Sequence, residues 1–261
     1  MGELEGRIAV VTGGSRGIGR AISISLAEAG AAVAISYRRD ADAASETVAA
    51  IEAAGGTAVA IAAAADDEAD CQRLVDVVLD RLGGIDILVC NAGIASRGRS
   101  VASTDADELQ RVMAVHALGP HYLARLALPS MRERAGAPGG RGDIVMISSV
   151  ATTLMSAHGA PYNMGKAAME ALALTLAKEE RPNGIHVNVV APGLVETDMG
   201  VRLTRAITGN RDLADLRSLD SASPFGRVCQ PSDIAGVVRW LCGPGAGYVT
   251  GQRIEVDGGG R

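Results

Sequence analysis

The chain has 261 residues, 48 % of them apolar but only 2 % aromatic, and a formal charge of −5 from 25 basic and 30 acidic side chains. That length supports one large domain, 1–261, whose core must be built from Ala, Val, Ile and Leu. Interspersed charge of acidic balance argues against non-specific nucleic-acid binding, and no apolar run is long enough to span a membrane. The four cysteines (71, 90, 229 and 242) form no CxxC or CxxxC pair, no leading segment resembles a signal peptide, and Gly6 stands where a myristoylation signal wants Ser or Thr. The expectation is a cytoplasmic protein with reduced thiols, no metal and no membrane contact.

Strands are expected near 7–12, 32–37, 57–62, 85–90, 142–148, 185–190 and 253–256, and helices near 17–29, 40–54, 67–82, 104–134, 160–181 and 231–242. Such alternation predicts the α/β class: a single-domain Rossmann fold with a doubly wound parallel sheet of about seven strands and helices on both faces. Its ligand belongs beyond the strand C-termini, at the switch point. The first strand, Ile8 to Val11, runs into glycines at 13, 14, 17 and 19 and then a helical stretch closed by Gly30. Glycines in a strand-to-helix turn let backbone N–H groups approach a pyrophosphate closely. The spacing is GxxxGxG rather than the commoner GxGxxG, so the dinucleotide signature is met in mechanism and not in letter.

The second strand ends Ser36-Tyr37-Arg38-Arg39, and Arg16 lies inside the glycine turn; guanidinium forks suit phosphate. Asp40 is close enough to serve a ribose hydroxyl instead, and the arginines also read as solvated charge before a helix. Further on, Ser149 follows a strand, and thirteen positions later comes Tyr162-Asn-Met-Gly-Lys166. On a helix, residues four apart share a face, so phenol and ammonium lie about one turn apart, where a cation lowers a tyrosine pKa. Such a pair beside a serine hydroxyl is a proton-transfer site for interconverting ketone and alcohol. Alone, the spacing also fits a solvated helix face.

Taken together, these motifs resemble the short-chain dehydrogenase/reductase family over nearly the whole chain. Thr12-Gly-Gly-Ser-Arg-Gly-Ile-Gly19 is similar to its TGxxxGxG turn, Cys90-Asn-Ala-Gly93 to its NNAG motif, Pro192-Gly193 to its PG motif, and Tyr248 to Gly259 to its last strand and tail. The resemblance implies catalysis by Ser149, Tyr162 and Lys166, with NADPH/NADP+ as cofactor and NAD as the alternative. It places the cofactor on Gly13, Ser15, Arg16, Gly17, Ile18 and Gly19, with Tyr37, Arg38 and Arg39 at its adenosine end. Asn91, Ala92 and Gly93 lie beneath it, Pro192, Gly193, Val195 and Thr197 line its nicotinamide side, and Tyr162 and Lys166 touch it from the catalytic helix.

The middle of the chain looks most like the 3-oxoacyl-[acyl-carrier-protein] reductase branch, a template shared by many ketone, sugar and steroid reductases. The expected activity is therefore reversible reduction of a ketone or 3-oxoacyl carbonyl on a small-molecule substrate. Arg97, Arg99, Arg132 and Arg134 would form a docking face if that substrate rode on an acyl carrier protein; otherwise they are solvated charge. Residues 194–223 resemble a substrate lid, mixing Leu194, Val195, Met199, Leu203 and Ile207 with Arg202, Arg205 and Arg211. His158 is expected to face the same cleft or to be a loop residue. A homotetramer is implied, with helices 104–134 and 160–181 pairing between subunits.

Three positions depart from the family pattern. His116 replaces an asparagine that holds a relay water; it either joins the relay, altering the pH dependence through a pKa near 6.5, or fills the helix kink. Ala64 replaces an aspartate that bonds adenine, with Asp66 or Asp67 as substitutes, and Cys90 replaces the first asparagine of NNAG. A nucleotide sensor without catalysis is the rival reading, opposed by the intact Ser149, Tyr162 and Lys166. An epimerase or dehydratase is opposed by the lack of TGxxGxxG and of a further C-terminal domain.

Overall fold

Seven runs of Val, Ile and Ala form the strands β1 (Ile8–Val11), β2 (Ala32–Tyr37), β3 (Ala58–Ala62), β4 (Ile87–Cys90), β5 (Gly142–Ile147), β6 (Ile185–Pro192) and β7 (Arg253–Val256). They make one all-parallel sheet in the order β3-β2-β1-β4-β5-β6-β7. The computed structural model describes residues 2–210 and 212–259, without the side chains of Ala206 and Ile207. Within a strand, alternate residues serve opposite cores. Ile8 and Val10 join Leu88, Ile144 and Met146 on one face, while Ala9 and Val11 join Ile87, Val89 and Val145 on the other. Every residue of β1, β4 and β5 is buried, as expected of a sheet covered on both sides.

The first core is closed by α3 (Glu68–Leu82), α5 (Gly119–Ala135) and α7 (Ala160–Glu180), the second by α1 (Gly17–Glu28), α2 (Ala41–Ala53) and α9 (Pro231–Cys242). The largest fully buried side chains are Leu, Ile and Met131; Phe225, the one phenylalanine, is 89 % exposed. The helix expected over 104–134 is interrupted: α4 (Ala106–Met113) passes through a π turn, Ala114–Leu118, into α5. Two helices were not anticipated, the single turn α6 (Ala151–Leu154) and α8 (Asp198–Thr208). The lid expected at 194–223 contains α8, and its Leu213 and Leu216 form a small cluster with Val228 just beyond it, with Val201 and Leu219 against it. Of the lid residues named above, Arg211 lies outside the described residues, as does the side chain of Ile207.

Helix starts differ in a telling way. Asp40, Asp67 and Asp105 cap α2, α3 and α4, each accepting from a backbone N–H three residues on. At α1 the capping position is Arg16, which makes no side-chain cap bond, and the first turn has no acidic residue. Its positive end is left to something else.

Candidate active site

The order β1-β4 at the centre of the sheet puts the glycine turn beside the Asn91–Gly93 loop, and one hydroxyl stitches them together. Thr12 Oγ1 accepts from the N–H groups of Asn91 (2.9 Å) and Ala92 (3.0 Å), and Asn91 Nδ2 donates to the carbonyls of Thr12 (2.9 Å) and Gly13 (3.2 Å). A Cβ on Gly19 would overlap the Gly13 carbonyl and come within 2.5 Å of Asn91 Nδ2, so only glycine fits. Gly17 has φ +55°, and a Cβ there would reach 3.3 Å from the Thr197 methyl. An uncapped helix end above a turn shaped by glycine suits a dinucleotide pyrophosphate. Asn91 contributes by bracing this turn, its amide nitrogen already spent.

At the outer edge, Tyr37 ends β2 and Arg38 and Arg39 lie exposed beyond it. Arg38 pairs with Asp66 (3.6 Å), and Arg16 pairs with Asp40 and, at 3.8 Å, with Asp198. Asp40 is thus held both as the α2 cap, 3.0 Å from Ala43 N, and as the partner of Arg16. Asp67 is spent capping α3, Asp66 pairs with Arg38, and the carboxylate that meets Ala64 is that of Asp70, which accepts from Ala64 N (2.8 Å).

On the other side of the switch point, β5 delivers Ser149 and α7 delivers Tyr162 and Lys166. Lys166 is 3 % exposed, donates to the Ile147 carbonyl at 2.6 Å and lies 5.8 Å from the Tyr162 ring centre. Burial pushes its pKa down to about 7, with Cys90 and Glu170 opposing the fall. Burial also raises the Tyr162 pKa above its ordinary value of 10, and a hydrogen bond with Ser149 opposes this. The expectation that Lys166 would lower the tyrosine is therefore corrected. The protein desolvates both groups, which favours the neutral phenol and the neutral amine over their charged forms.

His116 sits in the π turn with 0 % exposure and stacks edge-on against Tyr162, ring centres 5.2 Å apart. Its Nε2 is 2.8 Å from the Ile94 carbonyl, the shorter of two contacts to Ile94, which assigns the proton there. Nδ1 is buried without a partner. Burial, then the charge of Lys166, hold the pKa down to about 3 against the Ile94 bond. A histidine titrating near 6.5 is thus overturned, because no water reaches the ring to solvate its cation. Cys90 is also buried, its thiol pushed up to about 12, which leaves it unreactive.

Among the lid residues, Thr197 caps α8 by accepting from Gly200 N (3.1 Å), and Val195 is buried in the second core, so only its backbone can meet a ligand. Pro192 ends β6 and Gly193 follows it; the Pro192 carbonyl accepts from Val150 N (3.0 Å), and Gly193 N donates to Val256 O (3.0 Å). His158, exposed at φ +63°, lines an apolar recess of about 440 Å³ with Val101, Met155, Asn163 and Met164. Neither Ser149 nor Tyr162 lines it, so the structure does not put His158 in their cleft. Thr12 was quoted only as part of a motif, and the polar group behind Ser149, formed by Glu170, Thr152 and Arg253, went unread. A TG dipeptide after a strand signals the first, whereas no local signal marks contacts across 83 and 101 positions.

Residues 13–260 match the family described as enoyl-(acyl carrier protein) reductase. Versicolorin reductase of Emericella nidulans is 35 % identical over 98 % of this chain and 96 % of its own. The 3-oxoacyl-[acyl-carrier-protein] reductase of Synechocystis is 34 % identical over 99 % and 98 %. A short-chain dehydrogenase from Burkholderia cenocepacia, solved in complex with NADP, superposes with a TM-score of 0.85 at 35 % identity, covering 98 % of each chain. No helix among the described residues is long and apolar enough to cross a membrane. With the glycine turn on an open helix end and a serine, tyrosine and lysine gathered at the same sheet edge, likeness of this extent and identity means that the chain belongs to the short-chain dehydrogenase/reductase family of nicotinamide-dependent oxidoreductases.

Proposed function

We propose that the protein is an NADPH-dependent oxidoreductase that reduces a ketone or 3-oxoacyl carbonyl to a secondary alcohol, reversibly. The observation that carries this reading is the convergence of the Tyr162 phenol on Ser149, with the buried Lys166 amine 5.8 Å from its ring centre. When bound, NADPH supplies the hydride and NADP+ accepts it in the oxidative direction. The turn from Gly13 through Ser15, Arg16, Gly17 and Ile18 to Gly19 would hold the pyrophosphate, and Tyr37, Arg38 and Arg39 the adenosine end. Asn91, Ala92 and Gly93 would form the floor, with Pro192, Gly193 and the segment through Val195 and Thr197 on the nicotinamide side. Tyr162 gives its proton to the developing alkoxide, Ser149 donates to the same oxygen, and Lys166 holds the ribose and restores the tyrosine proton. His116 occupies the relay position as a neutral imidazole whose buried Nδ1 has no partner.

NADPH is favoured over NADH because Arg16, Arg38 and Arg39 are exposed at the adenosine edge, where a phosphate would replace Asp40 and Asp66 as the partners of Arg16 and Arg38, while Asp40 is engaged by the α2 cap and by Arg16. A free small-molecule carbonyl is favoured over an acyl carrier protein because the four arginines of the suggested docking face are neutralised internally. Arg97 and Arg99 pair with Asp105, Arg97 also with Glu108, Arg132 with Glu180, and Arg134 with Asp86. A cytoplasmic homotetramer pairing through 104–134 (α4 and α5) and 160–181 (α7), with 194–223 as its substrate lid, completes the reading.

Loss of near-ultraviolet NADPH absorbance against β-ketoesters, acyl-thioester mimics, cyclic ketones and diketones tests it, with NADH and Tyr162→Phe alongside. Turnover with NADPH that vanishes in the variant is expected. Tight binding with no turnover on any of them would favour the sensor reading instead.

A further inference from the structure

Glu170 and Arg253 belong to neither the cofactor turn nor the proton-transfer trio, yet both are turned toward Ser149. Glu170 stands one helical turn beyond Lys166 on α7. Its Oε1 accepts from Ser148 Oγ (2.5 Å), Thr152 Oγ1 (2.8 Å) and Arg253 Nε (3.0 Å). Arg253 opens β7, and one of its terminal nitrogens donates to the Ser149 carbonyl (3.2 Å) and to Thr152 Oγ1 (2.8 Å), while the other pairs with Glu255. Thr152 Oγ1 also lies 2.9 Å from the Ser149 carbonyl. Residues before, at and after Ser149 are therefore tied through one carboxylate and one guanidinium to the helix that carries Tyr162 and Lys166.

We propose that the Glu170–Arg253 pair is a positioning device for the Ser149 hydroxyl. This inference rests on the reductase reading above. β5 ends at Ile147; backbone bonds from Ser148 N to Val190 O (2.7 Å) and Val150 N to Pro192 O (3.0 Å) hold the chain along the sheet, Lys166 Nζ ties the Ile147 carbonyl to α7 (2.6 Å), and Ala151 N donates to Ser149 Oγ (3.1 Å). The pair adds a side-chain tie from the Ser148 hydroxyl and the Ser149 carbonyl to α7 and β7. A planar guanidinium with donors on several nitrogens, facing a charged acceptor that gathers three donors, gives geometry as well as attraction. A hydroxyl that must meet an oxygen as charge develops needs that geometry, since a displacement of about 1 Å costs on the order of 100-fold in rate. The simpler role, an ion pair stapling the edge strand β7, predicts lost stability with no particular link to Ser149.

The two roles separate in a double-mutant cycle on NADPH-dependent ketone reduction, comparing wild type, Arg253→Ala, Ser149→Ala and the double variant. Arg253→Ala is expected to lower kcat by roughly 10- to 100-fold. KM and the NADPH dissociation constant, read by fluorescence, should stay within about twofold. In the Ser149→Ala background the same substitution should cost less than about threefold, because no hydroxyl remains to be placed. Arg253→Lys should recover part of the loss. Thr152→Val, which leaves the ion pair in place, should reproduce a smaller kcat loss with the same dependence on Ser149, and it serves as the test if Arg253→Ala does not fold. Equal losses in both backgrounds, or a weakened NADPH affinity with kcat intact, would overturn the proposal. Full turnover in Ser149→Ala and Tyr162→Phe would instead bring down the reductase reading, and this inference with it.

Discussion

The shelf that carries Ser149, Tyr162 and Lys166 and the segment 194–223 are built by opposite rules. Along the shelf every polar group is tied inward: Lys166 to the Ile147 carbonyl, Glu170 to three donors, and α7 to the first core through Met169, Ala173 and Leu176. The other segment leaves the sheet after β6, folds over a small cluster of its Leu213 and Leu216 with Val228 just beyond it, and leaves Leu194 and Leu203 exposed. Proton transfer requires fixed distances and substrate entry requires a surface that opens at low cost, so the difference teaches which half sets the rate and which the affinity.

The sharpest way to break that division is Tyr162→Phe, expected to cut turnover by about 10³-fold with NADPH affinity retained, checked by steady-state kinetics and fluorescence titration. If affinity collapses as well, the shelf is a binding element and the comparison fails. Next in size is a pair of cavity mutations. Met169→Ala, in the first core, is expected to cost roughly 2–5 kcal/mol of global stability. Leu216→Ala, equally buried but in the separate cluster, should leave the main denaturation midpoint nearly in place and raise KM several-fold.

His116 sharpens the comparison through pH. Its pKa falls from 6.5 unfolded to about 3 folded, so between these values the unfolded chain binds the extra proton and stability drops as pH falls. His116→Asn should therefore recover a few kcal/mol of stability near pH 4, seen as a shallower fall of Tm on acidification. The same variant should leave the activity profile above pH 5 unchanged. In that profile kcat/KM for reduction is expected to fall as pH rises through about 7, where Lys166 loses its proton. The smallest effect is in hydrogen exchange, with amides of α8 exchanging faster than those of α7.

The glycine turn, the strand-and-helix alternation and the serine–tyrosine–lysine spacing were legible because each is a local pattern with one physical cause. Strand positions followed the runs of β-branched residues, although β6 extends two residues further than expected, to Pro192, where its last positions pair with Glu255 and Val256 of β7. A break near His116 is signalled by Gly119-Pro120, since a proline withholds the N–H that the His116 carbonyl takes in an ordinary helix, but its form as a π turn is not; His116 packs there against Ile94 and Tyr162. Protonation states are not legible for a related reason: sequence spacing reveals that a lysine is near a tyrosine, but not that the lysine is buried. α8 was hidden inside a segment read only as a lid, and the Ser149 support joins three elements that only the finished sheet brings together.

The imidazole of His116 is wedged between two glycines. A methyl group on Gly93 would stand 2.9 Å from its Cε1, and one on Gly165 would stand 2.8 Å from its Cβ. The three positions therefore form a ratchet for sequence change. A smaller side chain at 116 opens room at 93, so that substitution can come first and be followed by an alanine there; the reverse order passes through a steric clash. Position 165 meets the Cβ that any replacement except glycine retains, so it stays closed unless glycine stands at 116. Libraries that vary residue 116 alone, or 93 and 116 together, should yield folded protein, whereas those that vary 165 should return almost only glycine.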